Sequence, residues 1–182
     1  RSLLTTGGGR GFCAGDDVQA IFRADNRSDS QKTRQINRIK AGEVSLDDLF
    51  GLEKPTVAAV NGAAVGYGMD LSLYCDVRIA SENAKFGSPF AKLGATLDSG
   101  GHWYFTERLG MHRTLDLIYP AVLISGTAAV AHGMFSPAIP AGQLRGSTPG
   151  LVSTGGSWVR ASFPHRADPV APPLHRLLLQ HA

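Results

Sequence analysis

Cysteine, charge and long apolar runs are all scarce in this chain. Cys13 and Cys75 are its only cysteines among 182 residues, and neither stands at metal-ligand spacing from another ligand. In their apolar surroundings they read as reduced core side chains rather than a disulfide, which suits a cytoplasmic setting. No apolar stretch approaches the ~18 residues of a membrane span, and the first residues show no secretory pattern. Neither a membrane partner nor a metal is therefore expected.

Charge is missing in one place in particular. Charged residues make up 18% of the chain, with a formal net charge of +3. Up to Ala141 the two signs balance at 14 each, whereas from Gly142 on four arginines face one acid, Asp168. A nucleic-acid surface needs clustered positive charge interleaved with aromatics in the folded part. The balanced body offers none, so no nucleic-acid partner is expected. The same tail holds half of the ten prolines, together with Ser and Gly clusters and no sustained period. Gly142–Pro173 is accordingly expected to be poorly ordered, and only His175–His181 is patterned as a helix.

What is present can bury one sizeable core: 43% of the residues are hydrophobic, and a single domain is the default at this length. The organising stretch runs from Lys54 to Ala80. Thr56 to Val60 is short, apolar and β-branched and stops at Asn61-Gly62, which predicts a buried strand. A small-residue loop follows from Gly62 to Gly68. Met69 to Tyr74 then reads as a short buried helix, and Val77 to Ala80 as another strand. A strand, a tight loop and a helix start leave backbone N–H donors without intrahelical acceptors. With the positive end of the helix dipole, those donors suit a developing oxyanion.

Elsewhere, Arg1 to Thr6 reads as a strand broken by Gly7 to Gly11, with a helix from about Asp17. Gly9-x-Gly11-x-x-Ala14 formally fits a dinucleotide fingerprint, but no second strand ending in an acid follows ~20 residues on. A nicotinamide-binding oxidoreductase therefore ranks last. Arg23 to Gly51 is polar, with Lys32, Arg34, Arg38 and Lys40. It reads as a solvated helix or loop, or alternatively as a lid over a phosphate-bearing ligand. Ala84 to His102 reads as a strand end and a structured loop. Helices are predicted over Gly100–Leu109, over Met111–Tyr119 up to Pro120, and over Thr127–Ala131, followed by a strand over Met134–Ile139. His102 and His112 read as ordinary helix residues.

Three segments, in this order, resemble the crotonase superfamily, the enoyl-CoA hydratase/isomerase family. They are residues 11–17 (GFCAGDD), residues 54–70 (KPTVAAVNGAAVGYGMD), and residues 84–87 (AKFG) with Leu93-Gly94 and Gly100-Gly101. The likeness runs from Arg1 to about Ala141. It implies an α/β fold, a spiral of ββα units, here incomplete: an acyl-CoA-binding core over 1–141 and an atypical tail over 142–182. It also implies trimers or paired trimers, and an acyl-CoA substrate in which coenzyme A is part of the substrate and not a bound cofactor. The family's oxyanion hole carries over to the N–H groups of Asp16 and Tyr67. Carbonyls around Ala14 and Asp16 would face the adenine, Gly66 and Gly68 would flank the second donor, and Phe90 would line the substrate. Backbone donors beside glycines let a thioester approach closely.

Hydratases of this family use two glutamates. Here the first position is Asp70 and the second is Phe90, and a carboxylate pair acting on one water cannot be built from Phe90. Asp98 stands where related isomerases, thioester hydrolases and dehalogenases place a catalytic aspartate. As a general base it would need a pKa raised by burial beside Phe90 and Trp103; as a nucleophile it would form an ester. Capping the helix after Ser99 is its structural alternative. The residue set favours isomerisation through an oxyanion-stabilised enolate, with Asp98 and Asp70 moving the proton. The alternatives are a thioester hydrolase or dehalogenase with Asp98 as nucleophile, and a non-catalytic acyl-CoA-binding subunit or inactive fragment. The family's first strands and its C-terminal helices have no counterpart in the text, so the reading expects truncation before Arg1 and a frame change near Gly142.

Overall fold

A computed structural model of the chain describes residues 2–15, 49, 52, 54–97, 99–140, 142–144 and 146–147. In chain order its elements are β1 (Leu3–Thr6), β2 (Thr56–Val60), β3 (Ala64–Val65), α1 (Tyr67–Tyr74), β4 (Val77–Ser81) and β5 (Lys85–Gly87). A 3-10 turn (Phe90–Leu93) leads on to α2 (Gly101–Leu109), α3 (Met111–Ile118), β6 (Ile124–Ser125), α4 (Gly126–Ala131) and β7 (Ala138–Ile139).

The apolar run at Thr56–Val60 becomes the centre of the main sheet, ordered β1-β2-β4-β7 and parallel throughout. All five residues of β2 are buried. A strand inside a parallel sheet covered on both faces has no solvent side, which is why the run is continuous rather than alternating. Successive side chains still point to opposite faces. Ala58 and Val60 enter a large core with Leu73, Phe86 and Phe105, while Val57 and Ala59 meet Ile79, Ile139 and Leu144 on the other face. A smaller sheet, β3-β5-β6, stands beside α1, with β3 and β5 parallel and β5 and β6 antiparallel.

The start of β2 is locked to the turn after α1. Asp76 Oδ2 accepts from the Thr56 N–H at 2.8 Å and from Thr56 Oγ1 at 2.9 Å, and Thr56 Oγ1 accepts from the Asp76 N–H at 3.0 Å. Arg78 closes the other end of that turn. Its Nε donates to Met134 O at 2.8 Å, and its Nη1 donates to the carbonyls of Leu73 and Cys75, groups that a helix C-terminus leaves without partners. Cys75 is buried there, its Sγ donating to Leu71 O at 3.8 Å, and neither it nor Cys13 is in a disulfide.

The mixed α/β class and most elements match the sequence expectations, with differences that have physical causes. Ala64 and Val65, expected as loop, form β3 because Ala64 pairs with Phe86 and bridges to Cys13. The helix after them accordingly starts at Tyr67. The strand expected over Met134–Ile139 shrinks to Ala138–Ile139, since Met134 and Phe135 turn into the core and Phe135 meets Phe86 edge to face at 4.6 Å. Packed structure also continues past Gly142, where the tail was expected to begin, for Leu144 is only 1% exposed. The helix expected from Asp17, most of the polar section Arg23–Gly51, and the tail from residue 148 on lie outside the described residues.

Candidate active site

Because β1 and β2 are parallel neighbours, with Leu3 opposite Thr56 and Thr6 opposite Ala59, the loops that follow them leave the same edge of the sheet. The side chain of Asn61 joins them. Its Oδ1 accepts from the Gly7 N–H at 2.9 Å, and its Nδ2 donates to Gly9 O at 2.8 Å and Gly11 O at 3.3 Å. Backbone bonds continue the contact: Phe12 and Cys13 donate to Ala63 O at 2.9 and 3.0 Å, and Val65 donates to Cys13 O at 3.0 Å. Three residues further, Gly68 leaves room for this approach. A Cβ there would collide with the carbonyl and the side chain of Cys13.

The loop then turns into α1 through Gly66, whose φ of 56° and ψ of −125° place it where residues with side chains are strained. Its N–H donates to Gly87 O at 3.0 Å, and its carbonyl accepts from Met69 and Asp70 at 2.9 and 3.2 Å. Tyr67 is the first residue of this eight-residue helix, so its N–H belongs to the turn whose donors the helix itself does not consume. The first loop arrives at that point: a Cβ built on Gly15 would stand 2.9 Å from Val65 O and 3.6 Å from the Tyr67 nitrogen. The structure thus brings Cys13 and Gly15, which flank Ala14, to Val65, Tyr67 and Gly68. Asp16, the expected partner donor, lies outside the described residues.

Phe90 belongs to the same place. Its Cζ lies 3.5 Å from where a Cβ on Gly66 would be, and its half-buried ring packs against the large core. An apolar face therefore borders the second donor loop. Asp70 is one turn into α1 and is fully buried. Its carboxylate fills the space where a side chain on Gly101 would begin, at the N-terminus of α2, where a helix dipole favours negative charge. The backbone entering α2 is left-handed at Ser99 (φ 48°) and Gly100 (φ 75°). A residue with a side chain in that region is uncommon, and such strain costs ~1–3 kcal/mol. Asp98, immediately before it, lies outside the described residues.

His102 is exposed, and so is His112, which stands 3.5 Å from Asp116 one turn along α3. Both are surface helix residues, as read from the sequence. The residue that sequence reasoning missed is Asn61. It reads as the stop of a strand, and its use as a clamp depends on a loop some fifty positions away in the chain. The pairing of an amide side chain, which both donates and accepts, with two glycine-rich loops was the available signal. Among the described residues no group of three or more His, Cys, Asp or Glu could hold a metal ion. Among the same residues no helix is long and apolar enough to cross a membrane.

Comparison with known proteins bears on this arrangement. The family model described as enoyl-CoA hydratase/isomerase matches residues 1–161. The chain is 33% identical over 139 residues to enoyl-CoA hydratase ACTT3 of Alternaria alternata, a match covering 76% of this chain and 45% of that protein. It is 33% identical over 148 residues to short-chain-enoyl-CoA hydratase of Clostridium acetobutylicum, covering 78% of this chain and 52% of the relative. The crystal structure of enoyl-CoA hydratase from Bacillus anthracis aligns with a TM-score of 0.73 at 29% identity, over 85% of this chain and 58% of that one. The chain thus spans about half the length of the curated relatives it matches.

Proposed function

The chain belongs to the enoyl-CoA hydratase/isomerase family and has its α/β crotonase fold, and from that premise we propose that it acts on an acyl-CoA thioester through an oxyanion-stabilised enolate, with double-bond isomerisation favoured over hydration. The observation that carries the reading is the meeting of two glycine loops at the Tyr67 N–H, the first donor of α1. In the proposed site the thioester oxygen sits between this N–H and that of Asp16. A preorganised donor of this kind supplies ~3 kcal/mol of transition-state stabilisation.

Isomerisation moves one proton. A base removes it from C2 of a 3-enoyl thioester, the electron pair spreads onto the thioester oxygen as a dienolate, and the proton returns at C4. The bond between C3 and C4 thereby shifts to C2 and C3 with nothing gained or lost. One carboxyl group can make both transfers, and Asp98 is assigned that role, with Asp70, at the α2 N-terminus, as the second carboxylate. Hydration would need a second group to activate a water, and Phe90 presents an apolar ring there instead. Coenzyme A enters only as part of the substrate, and assembly into trimers belongs to the same proposal.

The complete burial of Asp70 favours one second reading, an acyl-CoA-binding subunit without turnover. A panel of saturated, 2-enoyl, 3-enoyl and aryl CoA thioesters, followed by mass spectrometry in deuterated water, separates the outcomes. Isomerisation gives a 2-enoyl product, with deuterium at C4 only to the extent that the carboxyl group exchanges its proton with solvent before returning it. A 3-hydroxyacyl product, or a free acid, would replace the proposal by hydration or hydrolysis, and binding without product supports the second reading.

A further inference from the structure

The first loop closes around the side chain of Asn61. Alternate residues of that loop turn main-chain groups onto one amide: the Gly7 N–H donates to Oδ1 at 2.9 Å, and Nδ2 donates to Gly9 O and Gly11 O at 2.8 and 3.3 Å. The ring is tight, since a Cβ on Gly7 would collide with Gly11 O and with Asn61 Oδ1, and one on Gly62 with Arg10 O. Every residue from Gly7 to Gly11 except Arg10 is glycine, the residue that loses most freedom on being ordered. A Cβ on Gly8 or Gly9 would meet nothing within 4 Å, so the middle of the loop stands in open space and the amide fixes its path.

What the amide fixes is carried forward along both loops. Gly11, held by Asn61, is followed at once by Phe12 and Cys13, whose N–H groups reach Ala63 O at 2.9 and 3.0 Å. Gly15 then ends beside Val65 O and the Tyr67 nitrogen. Asn61 itself opens the second loop, so its backbone leads to Tyr67 while its side chain holds the strand of loop that leads to Asp16. We propose that Asn61 is a positioning residue for the reaction: its amide sets the register of the first loop against the second, and so the separation of the two oxyanion donors. This role rests on the oxyanion reading of the site.

The amide is used at both ends, one accepting and one donating, and a carboxylate of the same shape only accepts. In Asn61→Asp the bond from Gly7 survives, while an oxygen is turned toward the carbonyls of Gly9 and Gly11. As pH falls and the new carboxyl takes up a proton, it becomes a donor again and one of the two lost bonds returns. The groups around it do not titrate in that range. Arg10, the charged residue of the loop, stays ionised, and Thr6 Oγ1, 3.5 Å from Asn61 Oδ1, is a hydroxyl.

The test is turnover of a CoA thioester per folded molecule, across a pH series, for the parent, Asn61→Asp and Asn61→Ala, with the folded fraction taken from circular dichroism. Both variants should lose up to about 10²-fold in kcat at neutral pH, the effect of a misplacement near 1 Å. The ratio of Asn61→Asp to parent should rise as pH falls, while that of Asn61→Ala stays level. A clamp serving stability alone leaves kcat per folded molecule at the parent value, and that result overturns the proposal, as does an Asn61→Asp ratio that ignores pH. Native-state exchange of the Val65 amide, which donates to Cys13 O at 3.0 Å, reads the junction of the loops without any turnover. It should quicken in both variants while the amides of β2 stay as they were, and unchanged exchange at Val65 overturns the link between Asn61 and the donors. A parent that turns over no thioester, with Val65 exchange quickened in the variants, overturns the oxyanion reading and leaves the clamp. An active parent matched by its variants overturns the positioning role and leaves the reading.

Discussion

Gly68→Ala sets two effects of opposite sign against each other. Within a helix, alanine is favoured over glycine by about 1 kcal/mol, so a helix considered alone would gain. Here the new methyl group would collide at once with the carbonyl oxygen, carbonyl carbon and Cβ of Cys13. None of these is the free end of a flexible side chain. Cys13 O already accepts from Val65 at 3.0 Å, and the Cys13 N–H is committed to Ala63 O. Relief therefore requires the first loop to move off the second. Overpacking of this kind costs about 1–3 kcal/mol, and loss of the Val65–Cys13 bond adds about 0.5–1.5 kcal/mol. The collision outweighs the propensity, leaving a net loss of about 1–3 kcal/mol, or a Tm lower by several degrees at roughly 2–4 °C per kcal/mol. If the site holds an oxyanion, separating the loops also withdraws a donor, and turnover of a CoA thioester should fall by up to about 10²–10³. Gly8→Ala is the matched control, because nothing lies within 4 Å of a Cβ at Gly8, and it should leave both quantities unchanged. Thermal melting and thioester turnover of the two variants decide the matter. A Gly68→Ala chain that melts at or above the parent temperature with unaltered turnover would refute the contact between the loops.

Four further changes probe the same region. Asn61→Ala deletes the three bonds that join the loops; as two of them are exposed, a loss of about 1–2 kcal/mol is expected, read as a lower denaturation midpoint with faster amide exchange at Gly7. Gly101→Ala places a methyl group in the Asp70 carboxylate and should destabilise by about 1–3 kcal/mol. Asp70→Asn keeps the shape, so an effect on kcat in that variant, with KM held, would separate proton transfer from packing. Phe90→Glu puts a carboxylate beside Gly66 at a cost of about 1–2 kcal/mol in lost apolar burial. Hydration of 2-enoyl-CoA measured by loss of enoyl absorbance should then rise relative to isomerisation, and an unchanged ratio would remove Phe90 from the account of product choice.

What the sequence made legible follows the range of the forces involved. Thr56–Val60 could be read because burial on both faces of a strand leaves a mark within five adjacent residues, and Met69–Tyr74, the body of α1, because its apolar residues follow so tight a loop. The two-residue strands Ala64–Val65 and Ile124–Ser125 left no such mark. Neither has an apolar period of its own, and each exists only through pairing with β5. The same division runs through the site. The glycines were visible as small residues, but a small residue says nothing of what occupies the space it leaves. Gly68 faces the backbone of Cys13, Gly66 faces the Phe90 ring, and Gly101 faces the Asp70 carboxylate, three unrelated neighbours for one residue type. Asp70 shows the consequence most directly. A carboxylate in the turn after a glycine loop reads as a group aimed at a ligand, whereas its surroundings in the fold are the start of another helix. Whether it moves a proton or anchors that helix is decided by α2, which comes thirty residues later, and no pattern confined to the loop could carry that information.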